Sequence, residues 1–425
     1  MRPFTRVLTL TIAASFAYSH TASAFCGFYV ATTDTPLINK ASRVVLAHDG
    51  DTTQVTMASD ILGDPKQFGL VVPVPTVIKK DQVKVLKPEI VQHLADYTKP
   101  RLVQYHDKDP CAPETSGWGG IPMPAPTAAA PAPEGVKRST VVIEEKYTVE
   151  EYDIIVLTAT VPADLVAYLN QNGYRVPAGA EETVGSYLRQ GMHFFLAKVN
   201  LAKLKMNTSG FLRPIQVTYK SPKFMLPIRL GTVNADGPQD MIVMALTRRG
   251  RLETTNYPTV KVPTGNNVPL FVEAKFGEFY DAVFARQSAA NRGAVFLEYA
   301  WNMGACDPCT SPPMTNGELR ALGASWIEPN GWQQAAFVTR LHVRYDRANF
   351  PEDLVLHETA DTQSFQARYV MNRPFTGEAT CISGWWYRAG LPARFKQEAT
   401  SVQALTGWDS QMIQTRMAQT GQKLP

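Results

Sequence analysis

Charge of one sign is scarce in this chain: 42 Lys and Arg stand against 38 Asp and Glu, a formal net charge of +4 over 425 residues. The longest basic run is Arg248-Arg249-Gly250-Arg251, which reads as a solvated hairpin tip. A nucleic-acid or anionic-membrane partner needs a concentrated cationic face, so neither is expected. Long apolar runs are missing too. After the first two dozen residues nothing approaches the ~18 consecutive apolar residues of a membrane span, and no transmembrane segment is expected. There is no G-x-S-x-G, no H-E-x-x-H, no S-x-x-K and no glycine loop that could cradle a phosphate. No repeat of fixed period occurs, and each histidine is isolated. These absences remove the motif-borne hydrolase and nucleotide chemistries and imply no cofactor. What is present is enough for a packed core: 44% hydrophobic residues and 10% aromatics exclude a disordered chain.

The N-terminus speaks to location. Arg2 and Arg6 form a basic start, Val7 to Ala17 is a short apolar stretch, and Thr21-Ala22-Ser23-Ala24 is a small-x-small cleavage signal. The expectation is an export signal over residues 1–24, cleaved after Ala24, and a mature protein in the periplasm or secreted. Cys26 is not expected to be lipidated, because Phe25 is large. The five cysteines are Cys26, Cys111, Cys306, Cys309 and Cys381. Outside the cytoplasm they are expected to be oxidised, with one thiol left over. Sequence alone does not choose the pairing. Cys26 with Cys111 and Cys306 with Cys309 are the expected bridges, leaving Cys381 over. The first would close a loop of about 85 residues and stabilise by roughly 4 kcal/mol.

Along the chain, periodicity points to an α+β fold dominated by antiparallel, sandwich-like sheets with a few short inserted helices. Residues 42–48 and 53–57 are β-branched runs around Asp49-Gly50-Asp51, a hairpin signal. Phe68 to Pro75 is a continuous apolar run suited to a buried strand. Helical spacing is seen at 87–97, 163–170, 182–190 and 279–289, with a short helix around Leu319–Leu322. Strands are predicted at 140–145, 152–158, 193–199, 214–220, 225–230, 241–246, 259–262, 270–275, 294–301, 336–345 and 365–369. Residues 112–135 are rich in Pro and Ala and read as a linker or long loop. It separates an N-terminal β-rich region (25–111) from an α+β region with antiparallel strands (136–275). A C-terminal α+β region (276–425) carries the C-x-x-C pair.

Cys306-Asp307-Pro308-Cys309 is the sharpest chemical candidate. A C-x-x-C at a helix N-terminus can hold a reactive disulfide, which makes a thiol–disulfide oxidoreductase with Cys306 as nucleophile and Cys309 as resolving thiol the alternative function. Pro312-Pro313 follows where an active-site helix should run, so a structural bridge is the preferred reading. For zinc, no second C-x-x-C or H-x-H follows; His342, His357 and Cys381 would have to meet through the fold, and no metal site is expected. Among carboxylates, Asp49 and Asp51 are explained by their turn, and Asp60 and Asp64 lack the donors of a calcium loop. His193 and His342 read as satisfied residues within strands. Trp385-Trp386-Tyr387, with Trp326 and Trp332, offer a stacking surface for sugars or peptide side chains, of which a strand would present at most one of the adjacent tryptophans; core packing is the preferred reading, because large aromatics dominate cores.

Cys26-Gly27-Phe28-Tyr29-Val30, Phe68 to Pro75, Asp109-Pro110-Cys111, Cys306-Asp307-Pro308-Cys309 and Leu405-Thr406-Gly407-Trp408 together resemble the bacterial family termed domain of unknown function 2330, from Cys26 to Trp408. The resemblance implies an exported bacterial protein and carries no activity, cofactor or catalytic residue with it. The expected function is a non-catalytic binding or structural protein of the envelope, stabilised by disulfides, whose partner is an envelope protein or a small ligand.

Overall fold

The computed structural model describes residues 28–29, 38–62, 69–112, 141–172, 174, 176, 179–200, 203, 212–233, 237–305, 307, 312–330 and 336–424. The signal-like segment, Cys26, Cys306, Cys309, Trp332, Asp64 and residues 113–135 lie outside them. The Asp-Gly turn forms as its residues dictate. Strands Ile38–Asp49 and Thr52–Leu62 pair antiparallel with Asp49 opposite Thr52, and Gly50 supplies the positive φ (+64°) that the tight connection needs.

That hairpin lies inside a nine-stranded sheet. The path across it runs Thr259–Lys261, Val295–Asn302, Phe337–Tyr345, Gln239–Thr247, Ile38–Asp49, Thr52–Leu62, Ile215–Lys220 and Val83–Val85, with Phe365–Gln366 paired to Val295–Asn302. Two neighbours run parallel, Thr259–Lys261 with Val295–Asn302 and Gln239–Thr247 with Ile38–Asp49. The sheet draws strands from the N-terminal, middle and C-terminal regions of the chain alike.

Both faces of its centre are buried, which is why its strands read as unbroken apolar runs. Val44, Leu46, Val243 and Leu341 face a second, all-antiparallel sheet of five strands that contributes Leu70, Val72, Ile154, Val156 and Phe195. Val45, Ala47, Met244 and Val338 pack on the opposite side against helix Pro88–Thr98, through Val91 and Leu94, and against Leu319 of helix Asn316–Ala321. The outer face of the five-stranded sheet is covered in turn by helices Pro162–Gln171 and Ala180–Arg189, through Leu165, Leu169, Val184 and Tyr187. The body is therefore layered helix, sheet, sheet, helix: an α+β fold with a β-dominated sandwich at its centre. The predicted buried strand is Gly69–Val74, buried throughout. Among the described residues Phe28–Tyr29 pairs with Leu70 and Val71 of this strand.

A parallel sheet of Asn266–Asn267, Arg368–Arg373 and Arg101–His106 packs under helices Phe276–Ala290, Ile382–Thr406 and Ser410–Gln419. Here the sequence expectations fail most. Residues 270–275 form a 3-10 turn leading into helix Phe276–Ala290, not a strand. Pro269 opens the turn, and the Leu270 N–H goes to the Gln422 side chain instead of a ladder. Of the predicted strand 225–230 only Met225–Leu226 is extended, and Arg229–Thr232 is a 3-10 turn. Trp385-Trp386-Tyr387 lies in the 25-residue helix Ile382–Thr406, not in a strand. The Arg248–Arg251 run is not a hairpin tip either, since Leu252–Thr254 leaves the sheet to pair with Leu354–Glu358.

The bridge is Cys111–Cys381, with Cα atoms 5.9 Å apart. It replaces the expected Cys26–Cys111 pairing and gives the supposedly unpaired Cys381 a partner. The parallel register explains why: His106 lies opposite Arg373, and the Asp107 N–H continues the pairing onto the Arg373 carbonyl. Cys111 and Cys381 follow four and eight residues beyond this last pair.

Candidate functional site

Of the C-x-x-C motif the described residue is Asp307, which is buried. Its Oδ2 accepts hydrogen bonds from the Tyr299 hydroxyl (3.0 Å) and the Gln366 amide (2.8 Å), with the Arg101 guanidinium 3.8 Å away. A carboxylate held this way ties Asp307 to the central sheet and its Gln366 neighbour. The residues weighed for zinc do not converge. Cys381 is in the disulfide, His357 lies opposite Glu253 in a strand pair, and His342 is committed elsewhere. Among the described residues no group of three or more His, Cys, Asp or Glu is arranged to hold a metal ion. Asp49 is used by a bidentate pair with Arg248, both bonds at 2.6 Å, and Arg248 also lies over the Trp326 ring.

His342 sits at the middle of a buried charge network on three adjacent strands of the central sheet. Glu298, fully buried, accepts from His342 Nδ1 (2.7 Å), Arg340 Nε (2.6 Å) and the Tyr280 hydroxyl (2.5 Å). The other side of the imidazole faces Asp240 at 3.6 Å, which is paired bidentately with Arg344. Phe284 stacks on the His342 ring at 3.5 Å. Burial opposes ionisation of both carboxyls, but the cations outweigh it and hold Glu298 and Asp240 at about 2. Burial likewise pulls the His342 pKa down, and Glu298 and Asp240 more than reverse it, so it is raised. His342 is thus a satisfied structural residue, as its isolation in sequence suggested. His193 differs: its buried Nδ1 has no hydrogen-bond partner, and burial lowers its pKa against the pull of Glu144.

At the disulfide end, Cys381 caps helix Ile382–Thr406 by accepting the Gly384 N–H at 3.2 Å. Gly384 is required there, since a Cβ would lie 2.5 Å from the Ala379 Cβ. The first turns of the helix stand clear of the body, leaving Ile382 (80%), Trp385 (61%) and Trp386 (65%) exposed. The indoles meet edge to face at 4.6 Å. The core-packing reading of these tryptophans fails because a helix, unlike a strand, puts residues three and four apart on one face, here the solvent face.

The cavity with the mixed lining of a ligand site lies where the two large sheets part. It measures about 230 Å³. Pro73 and Pro75 enter from the five-stranded sheet, Gln190 and Met192 from the link after helix Ala180–Arg189, and Tyr219, Ser221 and Lys223 from the end of strand Ile215–Lys220. Below it the sheets close around Phe195 and Leu226, with a void of only about 10 Å³. Ser221 holds the rim by accepting the Lys223 N–H at 3.1 Å and donating to the Lys223 carbonyl at 3.0 Å. The exposed Lys223 ammonium reaches Gln190 Oε1 at 3.5 Å. Sequence reasoning noticed the alternating prolines at 73 and 75 but had no means of placing Lys223 beside them, since the sheets bring together segments about 150 residues apart.

No curated protein and no solved structure is detectably similar to the chain. A family model does match, over residues 20–357, a span that includes the N-terminal motifs and the C-x-x-C but stops before Leu405–Trp408. The chain belongs to the family described as uncharacterized proteins conserved in bacteria (DUF2330).

Proposed function

We propose that the chain is an exported, non-catalytic binding protein of the bacterial envelope, clamped by a disulfide. The observation that carries this reading is the Cys111–Cys381 bridge, which joins residues 270 apart in sequence. A bridge of this kind persists in oxidising compartments and is rare in the cytosol, and it agrees with the export signal in residues 1–24. The binding half rests on one surface. Ile382, Trp385 and Trp386 form an exposed apolar surface at a helix start fixed by the bridge, and such patches mark interaction sites. The buried titratable groups around His342, by contrast, are occupied by one another, which suits a rigid scaffold better than proton transfer.

The test is expression with the native N-terminus in a bacterial host, followed by fractionation and peptide mapping without reductant. The expected product is periplasmic or secreted, begins at Phe25 and yields a linked Cys111–Cys381 peptide. A full-length, reduced protein in the cytoplasm overturns export. Insulin reduction by the purified protein that disappears in Cys306→Ser overturns the non-catalytic reading.

A further inference from the structure

We propose that the cleft between the two large sheets binds a small organic carboxylate with an apolar body, of the size of one aromatic or branched aliphatic acid. The inference adds a second site, apart from the Trp385–Trp386 surface, and it rests on the reading of the chain as a binding protein. Three observations support it. The first is size: about 230 Å³ falls just short of the ~300 Å³ at which drug-sized ligands begin to fit, so the occupant is a single small molecule. The second is the wall. Pro73, Pro75 and Pro227 with Met192 and Met225 give an apolar surface. The prolines fix its backbone, so a ligand pays little entropy to order it, and the methionines adapt to the ligand's outline.

The third is charge. The lining contains one cation, Lys223, and no carboxylate. The hydrogen bond given to its ammonium is the long one to Gln190 Oε1, which leaves donors for an incoming anion. The nearest ion pair on the same strand end, Lys220 with Asp51 at 3.7 Å, is complete without it. Gln190 and Ser221 stand beside Lys223, so one polar, cationic group shares the lining with the apolar wall. That arrangement selects against inorganic anions, which cannot use the wall, and against neutral hydrocarbons, which leave the ammonium unused.

Calorimetric titration of the purified protein in its oxidised form with phenylacetate tests the assignment, with 2-phenylethanol as the uncharged body and acetate as the bare charge. Phenylacetate is expected to bind one per chain, and acetate and 2-phenylethanol at least about tenfold more weakly, the factor for losing one charge-assisted hydrogen bond. Lys223→Gln, an exposed position whose change leaves the melting temperature unaltered, is expected to weaken phenylacetate about tenfold and leave 2-phenylethanol unchanged. Absence of saturable phenylacetate binding to folded protein overturns the assignment, as does equal affinity in Lys223→Gln. A chain found periplasmic and bridged that binds no phenylacetate loses this ligand class and keeps its place as an exported protein. A cytoplasmic chain that binds it does the reverse.

Discussion

Glu298→Gln removes one buried charge while keeping the shape of the side chain, and the network around it sets the expected cost. The carboxylate serves His342, Arg340 and Tyr280 at once. Its pKa, about 2 against an ordinary 4.5, corresponds to roughly 3 kcal/mol of folding free energy favouring the ionised form. Stripping one partner from a buried ion pair costs a similar amount, about 3–5 kcal/mol. Urea unfolding near pH 6 is therefore expected to show a loss of about 3 kcal/mol with an unchanged slope. The pH dependence is more telling. A carboxyl with a depressed folded pKa stabilises above its unfolded value, and that contribution disappears as pH falls through the folded value, so variant and wild type converge between about 4.5 and about 2. His342 runs the other way. Its raised pKa gives stability that is complete below 6.5 and is lost as pH rises through the folded value. The deficit should be widest at about pH 5–6 and narrow on both sides. A deficit below about 1 kcal/mol, or one that stays flat with pH, would refute the argument that charge and not shape holds this cluster.

Cys111→Ser with Cys381→Ser opens a loop of 270 residues; a loss of about 2–5 kcal/mol is expected, read as a lower melting temperature, and an unchanged melting curve contradicts it. Burial pushes the Glu398 pKa up to about 7, so the wild type should lose stability as pH rises from 4.5 through about 7. Glu398→Gln, which can still accept from Gln422, should be more stable by about 2–3 kcal/mol at pH 8, and a destabilised variant there would count against the buried-charge argument. Trp385→Phe with Trp386→Phe removes two of seven tryptophans, the two named above as exposed. Acrylamide should then quench the remaining emission less, while stability moves by no more than about 0.5 kcal/mol; unchanged quenching would mean the indoles are covered.

What the sequence made legible was whatever depends on near neighbours. The Asp49-Gly50-Asp51 hairpin, the buried Gly69–Val74 strand and the Pro88–Thr98 helix each carry their cause within a dozen residues, as turn glycine, apolar run or helical spacing. Helix Ile382–Thr406 did not, because its exposed first turns carry apolar side chains that mimic a buried strand and Pro392 interrupts its pattern. Cys381 was misjudged for a related reason: its partner is chosen by the parallel register of Arg101–His106 with Arg368–Arg373, and no local signal reports such a register. The charge network was visible only as an isolated His342, since Glu298, Asp240 and Arg340 come from three strands. The cleft was invisible for the same reason, being made by a gap between sheets and not by a motif.

The parallel seam between Ile38–Asp49 and Gln239–Thr247 has a consequence for biosynthesis. Ser42 is aligned with Met241 and Ala47 with Leu246, so the first long hairpin to emerge must wait about 200 residues for the strand that covers its flank. Helix Pro88–Thr98 and the strands of the second sheet are made in time to cover its faces, but the Ile38–Asp49 edge stays unpaired until then, an arrangement prone to misassociation. Vectorial folding from the N-terminus can thus build the flanking layers but not complete the central sheet. Its sheet is completed late, and what needs shielding until the later half has arrived is one strand edge.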